Sequence, residues 1–576
     1  MPGLFRVTLP SSAEPSLRER LLRLQKATYA HLQEQLKSQE RHETRQLRLY
    51  RSRYEREVAG YRKISSKAEL VERVAEVPMV YCGDYHTLWH AQRTALKLLT
   101  SVSEKKRNIL LGLELIPKSG EKLANDYVRG RVSEETFLEG IAYSKRWGFP
   151  WRHYRPLFQL AKERKFRILG LNADESDRVP LEARDDLAAD FIVEAVLTFP
   201  EALIFCLYGD LHWAESHIPH RVKIRLKSQG AVRRAITIFQ NSEEIYWKLA
   251  DAGLAESTDV VEVAKDKFCV LSAAPWVKWQ SYQSWLEDQT ELLDQPEEGD
   301  GGHPIRDYYH QVLDLALQIS HFLKVQPKGL EHFSVYTASD VKMIEELEKH
   351  CEACNREDVP IEEIVRAEIL ENRSSYFPES SILYLNDLSA NRAAEKAAQL
   401  VVSKLTPHST LFGSTSNIRE IFYRVLLWEA IGFFGSKIIN PKRKCDQYGD
   451  YELFIRRTRR RRLKGRLRDW REAAIGLLAH RGYEVARLRT EKARGLPRKL
   501  FRLSPEPFFM AASAIGKILA EQLYLRMTRD EMSLSEIQQF MSLPSNDSYS
   551  ARQRYWALAK FLPVHRLDQV SKEDRF

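Results

Sequence analysis

Long apolar runs are scarce in this chain of 576 residues. No uninterrupted stretch reaches the ~18 positions needed to cross a bilayer, and the longest candidate, 421–439, is broken by Arg424, Glu429 and Lys437. No transmembrane segment is expected. Cysteine is also rare, with six in all: Cys82, Cys206, Cys269, Cys351, Cys354 and Cys445. Three of them fall inside apolar runs, which excludes a disulfide framework. Cys351 and Cys354 form a single Cys-x-x-Cys, whereas a structural zinc site needs a second pair. The first ten residues hold no apolar signal core, so the expected compartment is the cytoplasm. Strong net charge is missing outside one place. The chain carries +10, but residues 451–500 hold 17 Lys+Arg against 5 Asp+Glu, a local +12.

Glycine and proline are almost absent from residues 12–66, where Leu17, Leu21, Leu24, Leu32 and Leu36 recur at helical spacing and give way to Tyr50, Tyr54, Val58 and Tyr61. The spacing predicts amphipathic helices forming an N-terminal arm, 1–66, that docks on the rest of the chain. From residue 67 the pattern becomes α/β. Apolar runs at 79–82, 109–115, 166–171, 202–208, 234–239 and 268–272 alternate with helical segments at 88–100, 120–129, 133–142, 154–164, 181–198 and 242–252. Repeated strand-then-helix predicts a mostly parallel sheet flanked by helices over 67–294. The Pro-, Gly- and acid-rich stretch 295–305 reads as a linker. Residues 306–576 read as an all-α C-terminal domain, with helices at 307–323, 338–350, 361–370, 390–405, 416–434, 459–481, 507–527 and 533–540.

Two segments of the middle region say nearly the same thing. Residues 79–86 and 205–212 both run from an apolar strand into Gly-Asp-x-His, giving Asp84 with His86 and Asp210 with His212. The second strand adds Glu114, the third Asn172 and the fifth Gln240 with Asn241. In an open parallel sheet, ligands bind outside the carboxyl ends of the strands. Two imidazoles and a carboxylate converging there suit a divalent ion (Zn, Mn, Fe or Co) that activates water. The expected ligands are His86, Glu114 and His212, with Asp84 or Asp210 orienting an imidazole or taking a proton. The competing reading is structural: both aspartates cap the following helices and both histidines bond nearby backbone. His90 stands one turn after His86, but Thr87 replaces the acid of His-Glu-x-x-His. His90 therefore reads as a supporting or surface residue, and His217 and His220, around Pro219, read as a surface loop.

These residues resemble a known family. A Gly-x-x-His after the first strand (Gly83, His86), a His downstream (His90), a Gly-x-Glu (Gly112, Glu114) and a second Gly-x-x-His followed by proline (Gly209, His212, Pro219) are similar to the ChaN domain. The aromatic stretch 147–157, followed by 170–173, is similar to that family's segment between its second and third strands. The resemblance spans about 67–241. It places the domain in the superfamily that includes the Tiki metalloproteases, the TraB/PrgY proteins and the erythromycin esterases. It implies the α/β fold and either a metal-dependent hydrolase or a protein that binds haem in the same crevice. Candidate haem ligands or supporting residues are Tyr85, Tyr208, Asn172 and His90. A small molecule, haem or a peptide is the implied partner. An inactive scaffold recruiting a protein partner through the helical regions is the third reading.

The run 456–468 holds nine cations and no acid. It is expected to lie on one helix as a solvated basic face. No aromatic residue interleaves it for base stacking, which argues against nucleic acid as a partner.

Overall fold

The computed structural model describes residues 15–39, 44–106, 108–174, 179–293, 308–337, 374–378, 380–385, 389–406, 417–490, 498–542, 550–560, 562 and 575–576. The expected linker 295–305, the expected helices 338–350 and 361–370, and Cys351 and Cys354 lie outside the described residues. The chain divides into two compact units. One comprises residues 29–305, 440–450 and 569–576, and the other residues 1–28, 306–439 and 451–568. The division passes through the helix Leu17–Gln39.

The first unit is α/β. Its eight strands are β1 (Lys63–Ser65), β2 (Met79–Asp84), β3 (Ile109–Pro117), β4 (Arg167–Asn172), β5 (Leu203–Gly209), β6 (Ala235–Gln240), β7 (Val260–Ala264) and β8 (Lys267–Val270). They lie in the order β1-β7-β8-β6-β2-β5-β3-β4. From β8 to β4 every pairing is parallel; β7 and β1 add an antiparallel edge. All residues of β2, β3 and β5 are buried, as befits central strands of a sheet covered by helices on both faces. Two strands carry no legible signal. β1 has three residues, and β7 has five, broken by Glu262 and followed by a tight charged turn into β8 with Asp266 at φ 58°. Residues 440–450 and 575–576 also belong to this unit, where Lys444 Nζ and the Phe576 N–H both bond Asp259.

The second unit is helical, and one feature corrects the all-α expectation. Strands β9 (Ser334–Thr337), β10 (Ser375–Phe377) and β11 (Ile382–Leu385) form a small sheet in the order β10-β11-β9. Each has only three or four residues, too few to show a period of two against a helical background. The helix Pro505–Thr528 is long and apolar enough, by length and composition, to cross a membrane, which the search for uninterrupted runs missed. Most of its apolar window is buried in this unit. It packs along Ile418–Ile439, and a Cβ on Gly516 would fall 2.3 Å from the Leu426 carbonyl oxygen. The small residue there permits close helix contact. Lys437 and Glu521 form a buried ion pair between the two helices at 3.4 Å.

Candidate active site

The strand order decides the site. β2 and β5 are neighbours in register, with Asp84 opposite Gly209, and β3 flanks β5 on its other side. The two Gly-Asp-x-His segments, distant in sequence, therefore emerge side by side at one sheet edge. The ladder between β3 and β5 ends at Leu113 and Leu207, and β3 is irregular from Leu113 to Pro117. Glu114 sits in that irregular stretch, so its carboxylate accepts the next free backbone donor, the Gly209 N–H, at 2.7 Å. The point a Cβ on Gly209 would occupy is 3.3 Å from Glu114 Oε2, 3.3 Å from His212 Cδ2 and 3.6 Å from His86 Nε2. The three groups meet over a glycine whose missing side chain leaves the space between them.

The two repeats then behave differently. In the first, Asp84 Oδ2 holds His86 Nδ1 at 2.9 Å and accepts the Tyr154 hydroxyl at 2.8 Å, while Gln92 donates to Asp84 Oδ1. His86 Nε2 is left 3.6 Å from Glu114 Oε2. Burial alone would lower the proton affinity of His86, but Glu114 and Asp84 together raise it above the ordinary imidazole value. In the second repeat Asp210 turns away from its own histidine. It accepts the Tyr54 hydroxyl and the Gln240 N–H, and it fills the space where Gly83 has no Cβ. Burial pushes its carboxyl up to about 7, against the lowering effect of the Tyr54 bond. The carboxylate partner of His212 is instead Asp185, fully buried, at 2.6 Å from Nδ1.

Asp185 belongs to the helix Leu181–Thr198, which also supplies Arg184 to Glu114 Oε1. A third contributor is the helix Arg45–Glu57. The Tyr50 hydroxyl donates to Asp185 at 3.0 Å and lies 2.8 Å from His212 Nδ1, and its ring stacks on His217 at 3.8 Å. Tyr54 reaches Asp210 from the same helix face, one turn on. Asp185, Arg184 and Tyr154 carry no strand-end signature in the sequence. Tyr50 and Tyr54 showed only as an apolar stripe at a spacing of four.

Other expected residues fall to the side. His86 precedes the helix Trp89–Ser103 and His90 lies within it, so the two do not share a helix face. His90 is half-buried, and burial, then Arg93, lowers its pKa to about 4. His217 is fully buried, not on a surface loop; its Nδ1 lies 2.8 Å from the Leu211 carbonyl oxygen, and only His220 is exposed. Asn172 Oδ1 accepts the Ala173 N–H and Asn241 Oδ1 those of Ser272 and Ala273, so both serve their own loops. Tyr208 is buried edge-on beneath His212, and the Tyr85 ring lies under Lys278 Nζ at 4.8 Å. Aromatic rings wall the exposed side of His86: Trp147 at 4.6 Å and Phe149 at 4.9 Å, with Trp285 stacked on Phe149 at 5.0 Å.

The expected metal set finds no support among the described residues. Although His86, Glu114 and His212 converge, no group of three or more His, Cys, Asp or Glu among the described residues is arranged to hold a metal ion. Arg184 and the Gly209 N–H already bond both oxygens of Glu114, while Asp185 and Tyr50 meet His212 at Nδ1.

Comparison with known proteins places the first part of this site. Residues 70–189 match the family model described as "Haem-binding uptake, Tiki superfamily, ChaN". A solved structure titled "Cofacial heme binding to ChaN of Campylobacter jejuni" matches at 10% identity, covering 31% of this chain and 90% of that one, with a TM-score of 0.24. No curated protein matches the chain. Over residues 70–189, which hold Asp84, His86, Glu114, Arg184 and Asp185, the chain is similar to the ChaN family of the Tiki superfamily.

Proposed function

We propose that this crevice binds haem, with Nε2 of His86 as the nitrogen that meets the iron. The setting of His86 carries the reading. Asp84 fixes the ring through Nδ1, the arrangement that orients a ligating imidazole and raises its basicity, and the side chain keeps 22% of its surface exposed beside Trp147 and Phe149. Those rings with Trp285, which stacks on Phe149 at 25° while Trp147 stands at 73° to Phe149, offer the apolar aromatic lining a porphyrin requires. Gly209 has no side chain to crowd the imidazole from behind. The description of the family matched over residues 70–189 supports the same ligand class. Titrating the purified protein with haemin should give a saturable Soret band that H86A abolishes and H90A keeps, with the circular-dichroism spectrum unchanged in both. A wild type that shows no saturable spectral change refutes the proposal.

The raised proton affinity of His86 between two carboxylates favours a second reading, acid–base hydrolysis of a small molecule or peptide at the same place. Hydrolysis that persists in chelator and disappears in E114Q would select it. A divalent metal in this place would compete with Arg184 for the Glu114 carboxylate. We place the protein in a reducing compartment such as the cytoplasm, on the support of the buried thiols of Cys82, Cys206 and Cys269.

A further inference from the structure

The basic run 456–468 does not lie on one helix. The helix Tyr448–Thr458 ends inside it, residues 459–465 form a turn, and a new helix, Arg466–Thr490, begins at its far end. Gly465 makes the bend at φ 53°, with nothing within 4 Å of where a Cβ would sit. The corner is held from beneath. Arg471 donates to the Thr458 and Arg461 carbonyl oxygens at 3.3 and 3.2 Å, and Trp470 packs on Tyr451 and Phe454. All nine cations are exposed on the outer side. Arg456 and Arg468 have carboxylate neighbours in Glu452, Asp469 and Glu472. Arg459, Arg460, Arg461, Arg462, Lys464 and Arg466 have none among the described residues. Leu467, 57% exposed, stands between Arg466 and Arg468 at the end of this run.

We propose that this corner is a docking surface for an anionic lipid bilayer, with the six unpaired cations over the headgroups and Leu467 entering the interface. Three observations favour a bilayer over nucleic acid. An apolar side chain projecting among the charges gains free energy from acyl chains and none from phosphates. The nearest aromatic, Trp470, is engaged in packing beneath the corner and offers no ring for a base to stack on. A convex turn also lacks the extended helix or strand that enters a DNA groove. Each cation near an anionic surface is worth about 1 kcal/mol, roughly fivefold in partition, so a six-charge corner binds usefully at physiological salt while one or two charges do not.

The test is co-sedimentation of the full-length protein with vesicles of phosphatidylcholine, alone or with about a quarter phosphatidylserine. Wild type should bind the anionic vesicles only, and more weakly as salt rises. R459E/R460E/R461E should reduce binding at least about a hundredfold, and L467S about tenfold, with unchanged circular dichroism. Equal retention on neutral vesicles, no retention on anionic ones, or a triple variant that binds like wild type would each overturn the proposal. So would tighter binding to duplex DNA than to vesicles at about 150 mM salt, which would make nucleic acid the partner.

Discussion

Placing one methyl group on each of the two motif glycines should give opposite results, because the structure puts different neighbours in its path. At Gly83 a Cβ would lie 1.5 Å from Asp210 Oδ1 and 2.6 Å from its Cγ. No rotamer adjustment removes an overlap of that size, so Asp210 must leave its place and give up the Tyr54 hydroxyl and the Gln240 N–H. Two buried hydrogen bonds, at roughly 1–3 kcal/mol each when a partner is left unsatisfied, put G83A about 3–5 kcal/mol below wild type. That lowers the melting temperature of a unit this size by about 10 °C. At Gly209 the backbone (φ −48°, ψ 131°) already suits alanine. The new methyl would meet Glu114 Oε2 and His212 Cδ2 at 3.3 Å and His86 Nε2 at 3.6 Å. Glu114 is pinned by Arg184 and cannot yield freely, so the cost is about 1 kcal/mol. The methyl nevertheless occupies the space between the three site groups. G209A should therefore fold and melt within a few degrees of wild type, yet lose at least tenfold in haemin affinity. The assay is thermal denaturation followed by circular dichroism, paired with haemin titration of both variants. A G83A that melts like wild type would refute the packing argument. A G209A that takes up haemin unchanged would show that the space over Gly209 is not where the ligand binds.

The remaining expectations concern charge. Asp210 keeps its proton in the fold up to about pH 7 but loses it near 3.8 when unfolded. The native state thus holds the extra proton across that window, and stability contributed at low pH falls by up to about 4 kcal/mol as pH rises from 4 to 7. D210N, which carries no titrating proton, should flatten that decline in urea unfolding measured at several pH values. In the helical unit His480 is fully buried, donor or acceptor to Tyr423 at 3.0 Å, with its pKa lowered to about 3 by burial. Its unfolded form binds a proton near pH 6.5, so this unit should lose stability as pH falls from 6.5 toward 3. H480Q should remove much of that acid sensitivity in the same assay. Replacing Lys437 alone by Met strands Glu521 in the core and should cost about 3–5 kcal/mol by chemical denaturation, whereas K437M/E521L should recover most of it.

Much of the α/β unit was legible because burial writes itself into composition. Strands covered on both faces must be continuous apolar runs, and six such runs separated by helical periods predicted the parallel sheet. The same logic exposed Asp84, His86, Glu114 and His212, since a charged group at the end of a buried run stands out against it. Short edge strands were not legible. β1, β9 and β10 have three or four residues, and the five of β7 are broken by Glu262.

What the sequence by itself determined is the identity of the strands and the polar residues that end them, because both follow from local pattern. Only the tertiary structure decided which ends meet. The order β2-β5-β3 brings Asp84 opposite Gly209 and sets Glu114 beneath both histidines, and strand order depends on the free energy of the whole sheet. The partners that tune the site also come from helices. Asp185 and Arg184 on Leu181–Thr198, and Tyr50 and Tyr54 on Arg45–Glu57, look in sequence like ordinary amphipathic helix residues. Two copies of one motif therefore acquired different chemistry. Asp84 holds its own histidine, while Asp210 is drawn to Tyr54 and Gln240 and leaves His212 to Asp185. A hydrogen bond goes to whichever partner packing brings within 3 Å, and that distance is a property of the fold, not of the motif.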